Sequence, residues 1–193
     1  MLNKNNFSIL SYFAELIKMV IICLLIVMPI RYFIIQPFYV KGSSMEPNFY
    51  DQDYLIIDEI SYRLSEPQRD EVVVFKYPLD PRQYFIKRII GIPGDKIKIQ
   101  HNQVSVNGKR IDEDNYLLPG ITTAGQVDIQ LKDNEYFVMG DHRNVSLDSR
   151  VFGPVPRDYL IGRVWLRGWP FKEVKVFTYP QQQLGSWDSE TIN

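Results

Sequence analysis

The apolar residues of this chain fall into two regimes. Met19–Ile30 reads MVIICLLIVMPI, twelve apolar residues in succession without a charge. Alone, that is short of the ~20 residues a membrane span needs. The flanks lengthen it. Phe7–Ile17 is mostly apolar with one charge, Glu15, and beyond Arg31 the apolar character continues through Tyr32–Ile35 and Pro37–Val40. The pattern predicts one transmembrane helix over residues 13–35, so that 1–35 forms a short cytoplasmic stub and an anchor. Lys18 and Arg31 can snorkel toward opposite interfaces. Tyr32, Phe33, Phe38 and Tyr39 resemble an interfacial aromatic belt. A cleaved leader would need small residues just after the run, where this chain has Arg31-Tyr32-Phe33. A buried core helix is the other reading of the same run. Lys4 and Lys18 before the run and Arg31 after it tilt the orientation slightly toward a cytoplasmic N-terminus.

From Phe38 onward the apolar spacing shortens to that of strands. Tyr54–Asp58, Glu71–Tyr77, Tyr84–Ile90, Lys96–Gln100, Gln103–Val106, Glu135–Met139 and Gly162–Arg167 all read as extended. Asn107-Gly108 between QVSV and KRI is a hairpin signal, and Pro78, Pro81, Pro93-Gly94, Pro119-Gly120 and Pro154 punctuate the rest. The fold class expected is mainly β: an N-terminal transmembrane helix followed by an antiparallel β-barrel or sandwich over residues 36–180. Residues 109–133 are a candidate small insertion, and 181–193 a polar, frayed tail.

Composition narrows the function classes. The chain has 193 residues, room for one well-packed domain and an anchor. Its 22 basic and 23 acidic residues nearly cancel, so nothing favours nucleic acid as a partner. Cys23 is the single cysteine, which rules out an intramolecular disulfide and a cysteine-based zinc site.

The candidate chemistry sits in Gly42-Ser43-Ser44-Met45-Glu46-Pro47, just past the apolar segment. A serine is a weak nucleophile unless a neighbouring base takes its proton. The chain offers two histidines, His101 and His142. His101 lies in a turn-like stretch. His142 has Asp141 beside it, but adjacent residues do not make an oriented triad. A lysine can serve if burial strips its ammonium of hydration and lowers its pKa from about 10.4. Strand alternation puts Phe85, Lys87 and Ile89 on one face and Arg88 on the other, so Lys87 would lie between two large apolar side chains. The alternative is an edge-strand lysine that reaches water.

Three segments resemble one family. GSSMEP is similar to the nucleophile box of the type I signal peptidases, YFIKRIIGIPGD to their lysine box, and GDHRNVSLDSRVFGPVP to their third box. DYLIID and RDEVVVFKYP resemble the connecting strands. The boxes stand in the family's order from about residue 36 to residue 156, behind an apolar anchor. The resemblance implies Ser44 as nucleophile and Lys87 as general base. It implies Ser146 as the hydroxyl that orients the lysine, and Asp148, Arg150 and Arg88 as supporting residues. Phe38, Val40, Met45 and Ile86 match or neighbour its substrate-pocket positions. Some members carry a serine where this chain has Gly42, and its hydroxyl helps hold the oxyanion. Here the Ser44 N–H, with Gly42 or a water, would do that work. The third box often has Asp-Asn before its serine, where this chain has Asn144-Val145.

The activity so implied is acyl transfer by a serine endopeptidase that removes signal peptides from secreted preproteins after small-x-small sites. It needs no metal or cofactor. The partners implied are preprotein signal peptides, the lipid bilayer and the nearby export machinery, with the chain in the plasma membrane as a single-pass protein and its β domain outside the cytoplasm. Two readings compete. Self-cleaving repressors also use Ser–Lys pairs, but carry a DNA-binding domain for which this chain has no basic patch. A tethered β-domain that only binds partners would leave Ser44 and Lys87 dispensable.

Overall fold

A computed structural model describes residues 4–33 and 35–179, and the side chains of 11–28 and 37–179. The expected polar tail and the side chains of Tyr32 and Phe33 lie outside the described residues. Helix α1 spans Lys4–Phe33, longer at its start than the predicted 13–35. Its most apolar stretch is Ser11–Met28, with mean hydropathy 2.2, and none of that stretch is buried against the rest of the chain. The core-helix reading therefore fails. A helix of 18 residues is about 27 Å long, close to the thickness of a bilayer's hydrocarbon.

The rest is β structure. In chain order the strands are β1 (Ile35–Tyr39), β2 (Tyr54–Asp58), β3 (Val72–Tyr77), β4 (Asp80–Gly91), β5 (Lys96–Gln100), β6 (Gln103–Val106), β7 (Lys109–Arg110), β8 (Val127–Gln130), β9 (Glu135–Met139), β10 (Val155–Pro156), β11 (Leu160–Trp169) and β12 (Lys175–Val176). Short helices α2 (Ser61–Leu64) and α3 (Ser149–Phe152) interrupt them. Among the described residues the strands form two antiparallel sheets. The larger runs β1-β2-β11-β3-β4-β9-β10 with β12 on β11, and the smaller runs β7-β6-β5-β8. All seven predicted strands are present, six of them within a residue or two at their ends and β4 starting four residues before the predicted Tyr84, and Asn107-Gly108 does join β6 to β7. Residues 109–133 hold β7 and β8 and so complete the small sheet around β5 and β6.

Two features of the large sheet position the site. First, β4 changes partner along its length: Tyr84–Arg88 pairs with β3, but β9 joins its other edge only from Arg88 onward. Residues 80–87 therefore keep one edge unpaired. Second, β1 pairs with β2 alone, so its outer edge is also unpaired. The sheet curls until the two edges face each other, with the rings of Phe38 on β1 and Tyr84 on β4 5.5 Å apart. Beneath this opening lies a core of Val40, Met45, Phe49, Leu55, Ile57, Val72, Val74, Ile86 and Val164. A second core, built around Ile97, Ile99, Phe137 and Met139, joins the small sheet to β9 and the end of β4.

Candidate active site

A cleft of about 660 Å³ opens between the two unpaired edges. Its floor and walls come from Phe38–Ser44, Gln83–Lys87, Leu55, Val74, Val145 and Leu147. Ser44 stands on the loop between β1 and β2, and Lys87 on β4. They are 43 positions apart in sequence, yet Lys87 Nζ lies 2.7 Å from Ser44 Oγ. Strand alternation delivers the lysine: it is only 4% exposed. The Phe85 ring, two residues back on the same face, is 5.5 Å from Nζ. Its other hydrogen bond goes to the Ile86 carbonyl at 2.8 Å. Lys87 makes no ion pair among the described residues. Burial pulls its pKa down to about 8, and the more distant charges of Asp148 and Asp141 only partly counter this.

The loop that carries Ser44 is held at several points. Val40 N–H donates to Asp53 O at 3.0 Å, and Gln52 N–H donates to Val40 O at 3.0 Å. Gly42 turns the chain with φ +86°, a conformation that side chains resist. Its N–H donates to Asp51 Oδ1 at 2.7 Å. The Gly42 N–H, expected as an oxyanion donor, is thus engaged within the loop. The Ser44 N–H has no partner among the described residues. Met45, expected in the cleft, is 1% exposed and packs in the core below it, where it pins the loop down. Phe38, Val40 and Ile86 do line the cleft. Sequence reasoning missed Leu55, Val74, Tyr84, Val145 and Leu147. The last two flank Ser146 and are exposed apolar side chains; apolar residues on either side of a motif serine are the one signal the sequence holds.

The segment after β9 closes the site from behind. Asp148 is fully buried. It accepts from Gly140 N–H at 3.1 Å and caps α3 through Arg150 N–H at 3.2 Å. It also holds the Arg150 guanidinium through two bonds of 2.8 and 2.9 Å. Burial alone would raise its pKa, but Arg150 and these hydrogen bonds keep the carboxyl below its ordinary value. Arg150 reaches on to the carbonyls of Arg143 and Ala124. The Ser146 hydroxyl is buried near Asp148 without a partner in good hydrogen-bonding geometry, and it makes no hydrogen bond to Lys87. Gly140 lies so close beneath the site that a Cβ there would overlap both Ser44 O and Ser146 Oγ.

Arg88, next along β4, points away from the cleft. It clasps Asp141 through bonds of 2.9 and 2.7 Å and donates to Asp70 O at 2.9 Å. Asn48 also donates to Asp141, at 2.8 Å. Asp141 is thereby occupied, and no Ser-His-Asp triad forms: the His142 ring contacts the Ser43 carbonyl rather than Ser44 Oγ. His101 stands on the small sheet, in a different cleft.

Comparison with known proteins agrees with the resemblance. The model of the signal peptidase family, peptidase S26, matches residues 13–169. A probable signal peptidase I-2 of Synechocystis sp. is 42% identical over 191 residues, covering 93% of this chain and 86% of that protein. A signal peptidase IB of Staphylococcus aureus is 36% identical over 165 residues, covering 77% and 85%. A crystal structure of a signal peptidase I from Enterococcus faecalis aligns at TM-score 0.45 and 26% identity, over 51% of this chain and 97% of that one. The matched span takes in the Ser44 loop, β4 and the segment through Arg150, and on that span the chain belongs to the signal peptidase family, peptidase S26.

Proposed function

We propose that this peptidase cuts the signal peptides of exported preproteins with a Ser44–Lys87 dyad, while α1 holds it in the membrane. One observation carries the reading: a buried lysine without an ion pair sits 2.7 Å from a cleft serine. With a pKa near 8, a useful fraction of Lys87 is neutral at physiological pH. The neutral amine accepts the Ser44 proton as Oγ attacks the scissile carbonyl. Charge develops on the carbonyl oxygen, where the unpaired Ser44 N–H is the available backbone donor. The lysine then gives its proton to the leaving amine. The same group activates water to release the acyl chain. Asp148, held by Arg150, and Gly140 shape the wall behind the dyad. Ser146 packs beside Gly140 in the same wall, and its hydroxyl is the one that the family resemblance assigns to orienting the lysine.

The substrate reading rests on the cleft. An extended peptide laid between β1 and β4 would find two unpaired strand edges and add its own backbone bonds to either. The apolar walls of Phe38, Val40 and Ile86 leave shallow space that suits small side chains. The membrane reading rests on the exposed apolar surface of α1 and on its direct run into β1, which keeps the cleft near the lipid surface. An extracytoplasmic β domain in the plasma membrane, close to the export machinery, is the corresponding topology. The test is cleavage of a preprotein in detergent by the wild type and by Ser44→Ala and Lys87→Ala. The proposal expects cutting after a small-x-small site, lost by about 10³-fold or more in either variant. Equal cutting by folded variants would return the chain to the tethered binding-domain reading.

A further inference from the structure

The catalytic steps proposed for Ser44 and Lys87 make no use of His142, yet both its backbone N–H and its ring reach the Ser44 loop. Its backbone N–H donates to Ser44 O at 3.0 Å. Its ring Nδ1 lies 3.2 Å from Ser43 O. A carbonyl oxygen only accepts, so this contact requires the ring proton on Nδ1. Among the described residues, these two are the only hydrogen bonds that reach the backbone of Ser43 and Ser44 from outside their own loop. Other ties from outside fasten the loop further on, at Asn48, which is held by Asp141, Tyr116 O and Arg167.

His142 also sits between two residues that are each tied down by several hydrogen bonds. On one side Asp141 is clasped by Arg88 and Asn48. On the other, Arg143 donates to Gly140 O at 2.9 Å and to Glu113 at 2.6 Å, and also bonds Thr123. The histidine between them therefore has a fixed backbone from which to hold its neighbour. The Glu46 carboxylate stands 4.0 Å from the same Nδ1, across a small cavity of about 150 Å³ behind the loop.

We propose that His142 is a positioning residue: its ring N–H, bonded to Ser43 O, fixes the loop so that Ser44 Oγ meets Lys87. The inference rests on the dyad reading. Ser44 hangs from a loop that turns at Gly42, and the serine hydroxyl must stay within hydrogen-bond reach of a lysine that cannot follow it. A displacement of about 1 Å at such a pair costs on the order of 100-fold in rate. An asparagine places an N–H at nearly the position of Nδ1, whereas aspartate has the same shape and no donor.

The experiment compares His142→Asn, His142→Asp, His142→Leu and His142→Ala as full-length chains in detergent, cutting a preprotein, with the melting temperature of each recorded. The proposal expects Leu, Ala and Asp to lower kcat by about 10-fold to 100-fold with KM within about twofold. It expects Asn to stay within about threefold of wild type. Should Leu lower the melting temperature, the Asn–Asp pair decides, since the two differ in the donor and not in bulk. Equal kcat for Asn and Asp, or wild-type kcat for folded Leu and Ala variants, overturns it. Ser44→Ala is run alongside. If Ser44→Ala still cuts, the dyad reading is what has failed. If it is inactive while the His142 variants are unaffected, only the positioning role falls.

Discussion

Lys87 and Arg88 are neighbours on β4, both basic and both nearly shut off from water, at 4% and 8% exposure. Their surroundings differ in one respect. Arg88 meets the carboxylate of Asp141 in a two-bond clasp, with a third bond to a carbonyl and the Tyr116 ring 4.3 Å from its guanidinium. Burial works against its charge, but Asp141 more than restores it and the pKa is raised. Lys87 receives a hydroxyl, a carbonyl and an aromatic ring, and no paired carboxylate. The lesson is that burial by itself does not make a base. Burial without a counter-ion does, and β4 sets the two outcomes side by side by sending one residue to each face.

The largest effect expected is from making position 87 resemble position 88. Lys87→Arg keeps the positive charge and the approximate reach, but a guanidinium does not give up its proton. Preprotein cleavage should fall by about 10³-fold or more, as far as with alanine. Activity within tenfold of wild type would mean that a neutral group at 87 is not required.

Breaking the pair on the other face should act on stability instead. Arg88→Met leaves Asp141 buried without its partner, a change that costs about 3–5 kcal/mol. Urea unfolding of the full chain in detergent is the measurement. A shift below 1 kcal/mol would show that the clasp is not a structural requirement.

Removing the lysine should do the reverse. Its folded pKa is about 8 against 10.5 when unfolded, so the folded state binds the proton more weakly. The penalty is full below pH 8, declines as pH rises toward 10.5, and is absent above that. Lys87→Met should therefore stabilise the chain by about 3 kcal/mol at pH 7 while abolishing cleavage. The gain should shrink steadily between pH 8 and 10.5. A destabilised Lys87→Met, or a gain independent of pH, would contradict the difference between the two faces.

Much of this was legible in the chain. The apolar N-terminal run and the seven strands follow from periodicity. Alternation alone put Lys87 opposite Arg88, and the resemblance singled out Ser44. Other features depend on contacts that spacing does not encode. β1 reads as the continuation of the apolar helix, because Ile35–Tyr39 is apolar or aromatic at all but Gln36 and only its pairing with β2 makes it a strand. β8 is too short and too polar to announce itself, and is fixed by β5. Met45 sits within the Ser44 motif and resembles a cleft residue, but the turn of the loop sends it into the core. Asp51 gives no sign in sequence that it will engage the Gly42 N–H nine residues earlier. The fate of Asp141 is similar: beside His142 in the chain, it suggests a triad, and the fold gives it to Arg88.

The most direct test of the account is the pH dependence of kcat/KM for preprotein cleavage, which reports the ionisation of the free enzyme's essential base. The account predicts a rise with pH through an apparent pKa of about 8, assigned to Lys87 in the free enzyme. A profile that keeps rising to the ordinary lysine value near 10.5, or one that is flat between pH 7 and 9, would contradict a buried, unpaired lysine as the base.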